Sequence, residues 1–145
     1  MSSGKVEHTW QTLLARAAAE AGAGRIDDAI ATYRSIIELS PGLAEAHHNC
    51  GALLFARGDF DGAAQSFAEA ATRKPDWPAP LLALGHVFFH HGRFAGAQAA
   101  FERALALDAN SIEALKIQAY LALIKTVRGA DGNGEGVNSS FGNKA

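Results

Sequence analysis

The sequence repeats itself with a fixed period. Gly51 and Gly85 are 34 residues apart, and so are Phe67 and Phe101 in the stretch that follows. A fixed period of this length indicates stacked units of secondary structure that each contact only their neighbours, rather than one closed core. The positions that recur at this spacing are Gly24, Gly58 and Gly92; Ala29, Ala63 and Ala97; Tyr33, Phe67 and Phe101; and Pro41 and Pro75.

Each repeat predicts two antiparallel α-helices. Gly24, Gly58 and Gly92 each follow a stretch with helical spacing of apolar residues and precede another such stretch. Glycine in this place is typical of a left-handed residue that ends a helix. Gly51 and Gly85 lie inside helical stretches, where glycine costs about 1 kcal/mol relative to alanine. We therefore expect a neighbouring helix to approach closely at these two positions.

These positions resemble the tetratricopeptide repeat, a helical hairpin of this period. The resemblance covers three repeats, at about 10–43, 44–77 and 78–111, and a terminal helix at 112–127 that is similar to a first helix without its partner. The last repeat has Ala109 where Pro41 and Pro75 stand. The resemblance implies one all-α domain over 1–127, a right-handed superhelical solenoid, and we expect a bacterial protein. Residues 128–145 are rich in Gly, Asn and Ser, which predicts a flexible tail.

Composition excludes several classes of function. The chain has 145 residues, with 13 Lys plus Arg against 15 Asp plus Glu, so its net charge of -2 does not favour binding to nucleic acid or to anionic membrane. No secretory signal and no apolar run of membrane-spanning length occurs, so we expect a cytoplasmic protein. Cys50, the single cysteine, excludes an intrachain disulfide and is expected to be a small buried residue.

Catalytic and metal-binding patterns are weak. His86 and His90 are one helical turn apart and could face one metal ion, with His48 as the best third ligand. Two histidines do not make a site, and the tail stretch that imitates a calcium loop has Gly142 where the bidentate glutamate belongs. No catalytic triad or carboxylate pair follows from spacing. We therefore predict no metal, no cofactor and no enzymatic activity.

The resemblance implies a binding surface. In tetratricopeptide arrays the first helices of successive hairpins line a concave groove that holds an extended peptide or a partner's helix. Of the carboxylate clamp that some members use for acidic chaperone tails, only Asn49 matches, so binding of such tails is not implied. The groove positions expected here are Glu45, His48, Asn49, Ala52, Phe55, Leu82, His86, Phe89 and His90. The expected function is a non-catalytic protein-interaction module; the alternative is an accessory or truncated segment associated with a bacterial transferase-type enzyme.

The terminal helix carries two apolar stripes. We expect the first stripe to pack on the third hairpin, and the second to be covered by another copy of the chain, as a homodimer, or by a partner's helix. The first stripe is Ile112, Leu115, Ala119, Ala122 and Leu123; the second is Ile117, Tyr120, Leu121 and Ile124.

Overall fold

The fold is an all-α, right-handed solenoid of helical hairpins, as the repeat predicts. The computed structural model describes the backbone of residues 2–144 and the side chains of residues 9–130. This part of the chain forms seven helices: α1 (Ser2–Gly22), α2 (Ile26–Leu39), α3 (Ala44–Ala56), α4 (Phe60–Arg73), α5 (Pro78–His90), α6 (Phe94–Leu107) and α7 (Ile112–Lys144). The pairs α1–α2, α3–α4 and α5–α6 are the hairpins, each packed on the next, and α7 packs on α6.

The turn inside each hairpin has the same hydrogen-bonded structure. Gly24, Gly58 and Gly92 have φ angles of 79°, 87° and 76°, in the left-handed region that glycine adopts without strain. In the middle hairpin the Gly58 N–H donates to the Phe55 carbonyl at 2.9 Å, and the next N–H donates to the Leu54 carbonyl at 2.9 Å. The other two turns repeat both bonds. This is the paired C-terminal cap of a helix, so the predicted hairpin turns are confirmed.

Helix starts use different devices. The Asp59 carboxylate accepts a hydrogen bond from the Gly62 N–H at 2.9 Å and caps α4. Pro78 is the first residue of α5, where the lack of an N–H does no harm. The Ser111 hydroxyl accepts from the Ala114 N–H at 3.1 Å at the start of α7. The three helices therefore begin where a cap or a proline allows them to.

Glycine in the first helix and phenylalanine in the second hold each of the last two hairpins together. A Cβ atom on Gly85 would lie 2.5 Å from the Cδ1 atom of Phe101, and one on Gly51 would lie 3.0 Å from that of Phe67. Phe101 is 0% exposed, as is Ala97 one turn before it. The helices therefore approach as closely as the sequence predicts, and a large aromatic ring fills the space that the missing side chain leaves.

The terminal helix packs through its second stripe, and not through the first stripe as predicted. Ile117 and Ile124 are 3% and 1% exposed, and they share a core cluster with Phe101. Tyr120 and Leu121 are half-buried against the same cluster. In contrast, the stripe expected to pack is open to solvent: Ile112 is 76% exposed, Leu115 is 67% exposed and Leu123 is 47% exposed. The prediction that Ile117, Tyr120, Leu121 and Ile124 form an outward interface is therefore wrong for the two isoleucines, which lie inside the protein.

The helix that precedes α7 explains this reversal. The stripe of α7 that is buried lies on α6, the last helix of the third hairpin. The stripe that is open contains Ala119, which is equivalent to Gly51 and Gly85 under the shift of 34 residues. Those two glycines face the second helix of their own hairpin. No second helix follows α7 among the described residues. The side of α7 that faces the third hairpin is therefore covered, and the side that would face a second helix is bare.

The end of the chain differs from the predicted boundary. The terminal helix is assigned as Ile112–Lys144, and residues 128–130 continue it past the predicted end at 127. The prediction of a flexible tail over 128–145 otherwise concerns residues 131–145, which lie outside the part whose side chains are described.

We predict that Gly85→Ala destabilises the protein, because the new Cβ meets the fully buried Phe101 ring, which cannot move aside. Overpacking of this kind costs about 1–3 kcal/mol. The control is Gly129→Ala in α7, where a Cβ meets no atom within 4 Å; it should be neutral or stabilising by up to about 1 kcal/mol. Urea denaturation of both variants measures the difference. Equal unfolding free energies for the two variants would contradict the contact.

Candidate functional site

A continuous row of aromatic rings crosses the first helices of the second and third hairpins and α7. Phe55 on α3 contacts the His90 ring on α5, with centroids 5.7 Å apart. Phe89 contacts His90 at 5.9 Å and Tyr120 on α7 at 5.1 Å. His86 joins the row through Tyr120 at 4.9 Å. We call Phe55, His86, Phe89, His90 and Tyr120 the aromatic row.

The aromatic row brings together four residues of the predicted groove and adds one. Phe55, His86, Phe89 and His90 were all expected on this surface, whereas Tyr120 was assigned to a separate interface. Phe55, Phe89 and Tyr120 keep part of their surface in water, and His90 is exposed. Tyr120 therefore lies beside the predicted groove residues, and not on a separate side of the terminal helix as predicted.

His86 belongs to the floor of this surface. Its ring packs edge-on against Phe101 at 5.4 Å, and among the described residues its Nε2 atom is buried without a hydrogen-bond partner. Burial lowers the pKa of His86, and the neighbouring His90 lowers it further; Glu113 opposes the shift weakly and Lys116 supports it. The ring is therefore neutral at neutral pH, and it acts here as a flat apolar group with one unused nitrogen.

A second cluster lies at the junction of the second and third hairpins. The His48 ring contacts Trp77 at 4.9 Å and Phe67 at 5.2 Å, and burial lowers its pKa. The Lys74 ammonium lies 5.2 Å from the centre of the Trp77 ring and 3.6 Å from the Glu45 carboxylate. Glu45 and His48, both expected in the groove, are thus linked by Trp77 and its neighbours.

Sequence reasoning missed Trp77, although a signal was present. Trp77 directly precedes Pro78, the first residue of α5, and is equivalent to Leu43 before α3 under the shift of 34 residues. Leu43 also packs against the core. A residue in the connection between two hairpins therefore packs against the preceding hairpin. A tryptophan at this position adds aromatic surface.

The remaining groove positions lie in different surroundings. The Asn49 side chain lies near the Tyr33 hydroxyl of α2, where it opposes the rise in the pKa of Tyr33 that burial causes. Ala52 is exposed, and Leu82 lines a cavity of about 120 Å³ together with Ala79 and Ile117. Asn49 is therefore partly committed to the fold, while Leu82 lies beside an apolar depression.

The described residues show no site for metal chemistry or for a reactive thiol. Within 9–130, no three His, Cys, Asp or Glu side chains are grouped to hold a metal ion. His48, the expected third ligand, packs on Trp77 instead. Burial raises the pKa of the Cys50 thiol, which stays protonated inside the core. Nor does any described helix combine the length and apolar character needed to cross a bilayer.

The fold and this surface define a helical-repeat protein with aromatic rings in contact across three of its helices. The model of the tetratricopeptide repeat family matches residues 20–84 and 54–121, so the chain belongs to this family. No curated protein matches the sequence significantly.

Solved structures with the same fold include type III secretion chaperones. SycD of Yersinia enterocolitica, in complex with a peptide of the translocator YopD, is 22% identical over 83% of this chain and 95% of its own, with a TM-score of 0.79. PcrH in complex with the chaperone binding region of PopD is 24% identical over 84% and 95%, with a TM-score of 0.78. An alternative dimer of SycD matches with a TM-score of 0.77 at 22% identity over 83% and 95%. At these identities the likeness shows the fold alone.

We predict that His86 makes the protein less stable in mild acid. Its folded pKa lies below the ordinary value of about 6.5, so the unfolded chain takes up the proton first as the pH falls through that value. Urea denaturation at pH 7.5 and pH 5.5 should show a smaller loss of unfolding free energy in His86→Gln than in the wild type. The other histidines are common to both proteins and cancel. The same pH dependence in both would contradict a neutral, buried His86.

Proposed function

We propose that this protein is a non-catalytic interaction module that binds a peptide or helix of another protein on the concave surface of α3, α5 and α7. The observation that carries the proposal is the aromatic row. Aromatic side chains supply most of the binding energy in many interfaces, because they bury large apolar areas with little loss of conformational freedom. Five contacting rings on three successive first helices form one extended contact surface.

The chemistry of the row favours an apolar ligand. His86 is neutral at neutral pH, and the nearby Glu113 and Lys116 neutralise each other in an ion pair of 3.0 Å. The positions where some family members place cations for a carboxylate hold Leu14 in the first repeat and Ala79 and Ala83 in the third. We therefore expect recognition through apolar or aromatic side chains of the ligand, and not through a terminal carboxylate.

Three titratable side chains of the surface are held in packing contacts or in an ion pair. His48 and His86 lie against aromatic rings, and Glu45 is paired with Lys74. A general acid or base must be free to reach the proton that it transfers. This arrangement supports a binding role over a catalytic one. The structural neighbour SycD is found in complex with a peptide of the translocator YopD, and PcrH is found in complex with the chaperone binding region of PopD. These complexes support a binding role for the shared fold.

We predict that Phe89→Ala weakens peptide binding about 30-fold, since loss of a central aromatic contact costs about 2 kcal/mol. Peptides are selected on the wild-type protein from a random peptide display library, and their affinities are measured by fluorescence anisotropy. The matched control is Leu39→Ala, which removes an exposed apolar side chain on α2 and should leave the affinity unchanged. Circular dichroism confirms that both variants are folded.

Two results would contradict peptide binding on the aromatic row. One is that every selected peptide binds Phe89→Ala as well as it binds the wild type. The other is a loss of affinity in Leu39→Ala equal to that in Phe89→Ala, which would place the binding surface elsewhere.

A further inference from the structure

The bare side of α7 is a second surface, separate from the aromatic row. We call Leu115, Gln118, Ala119 and Ala122 the open face; all four are exposed. They are equivalent to His47, Cys50, Gly51 and Leu54 in the second repeat, and to Leu81, Leu84, Gly85 and Phe88 in the third. Seven of these eight equivalents are buried, and Phe88 is half-buried.

The equivalents of the open face show what kind of element covers it. A Cβ atom on Gly51 would meet Phe67 and Ser66, which both lie on α4. Gly85 faces Phe101 on α6, and Phe88 lies against Gly96 on the same helix. In both hairpins the covering element is therefore the second helix, and an aromatic ring sits on the small residue.

A groove lies next to the open face. A cavity of about 640 Å³ lies between α6 and α7, with Gln98 and Glu102 on one side and Ala122, Lys125 and Arg128 on the other. The Arg128 guanidinium donates to the Gln98 side chain at 2.6 Å across its far end. The open face thus continues into a groove with one wall on α6.

In the part of the chain that the structure describes, no second helix follows α7 to fill this groove. Thr126 stands where Gly58 and Gly92 make their left-handed turns, and α7 runs straight through it. The sequence that would follow also lacks the packing residues: Asp131 and Glu135 stand at the positions of Ala97 and Phe101. No element of the described part of the chain therefore covers the open face.

We propose that the open face binds an amphipathic helix of a partner protein, which completes a fourth hairpin in trans. The repeats specify its contact side: a small residue, an aromatic residue four positions later and a small residue three positions after that. This is the pattern of Ala63, Phe67 and Ala70 in α4, and of Ala97, Phe101 and Ala104 in α6. The proposed interface repeats the contact that joins the first and second helices within each hairpin. An acidic residue beside this pattern would lie near Lys125 and Arg128.

A synthetic peptide of residues 93–108, which contains α6, is the probe because it carries this pattern. The peptide is labelled with fluorescein and titrated with the full chain, and its anisotropy is followed. We expect saturable binding to the wild type and at least tenfold weaker binding to Ala119→Glu, whose carboxylate occupies the place of the aromatic ring. The control Ala31→Glu changes an equally exposed alanine on α2 and should bind like the wild type.

Further binding measurements distinguish the open face from the aromatic row. A peptide with Phe101→Ala should bind at least tenfold more weakly, and the protein variant Phe89→Ala should bind the unchanged peptide normally, because the aromatic row is not involved. No saturable binding up to ~1 mM, which corresponds to about −4 kcal/mol, would overturn the proposal. Equal binding to Ala119→Glu and the wild type would also overturn it. If sedimentation shows a wild-type dimer that Ala119→Glu converts to a folded monomer, the occupant is a second copy and not a partner's helix.

Discussion

The contact between a glycine in the first helix and a phenylalanine in the second sets the geometry of this protein. At Gly85 the backbone of α5 comes so close to Phe101 that a single methyl group would collide with the ring. Gly51 and Phe67 repeat the contact one unit earlier. Because glycine has no side chain, the two helices can approach closely. The phenylalanine ring then fills the space beside the glycine. Each hairpin thereby becomes a unit on which the next can pack.

The same contact supports the proposed binding surface. The Phe101 ring touches His86 on α5 and stacks on Tyr120 of α7, with centroids 5.4 Å and 5.2 Å apart. Both of these rings belong to the aromatic row, which continues outward through Phe89. The surface is therefore an extension of the core, and its rings are held in place by packing. Pre-positioned aromatic groups lose little conformational entropy when a ligand binds.

The sequence predicts the hairpins well because their determinants are local and repeated. Gly58 ends a helix, and Gly85 favours close packing of a neighbouring helix. Both effects follow from the local sequence and do not depend on how the hairpins are arranged. The terminal helix is different: two apolar stripes are equivalent in sequence, and only the position of α6 decides that Ile117 is buried and Leu115 is bare. Superposing α7 on α5 position by position would have shown this, since Leu115 corresponds to a residue that faces its own hairpin. Likewise, the contact of His48 with Trp77 depends on how two hairpins meet, which spacing does not reveal.

A double-mutant cycle at Gly85 and Phe101 tests the central constraint most directly. Phe101→Leu removes the ring that a Cβ on residue 85 would meet. If the close contact sets the packing, Gly85→Ala should cost at least about 1 kcal/mol less unfolding free energy in the Phe101→Leu background than in the wild type, as expected for residues in direct contact. If the cost of Gly85→Ala is the same in both backgrounds, the two residues act independently, and the contact does not determine the fold.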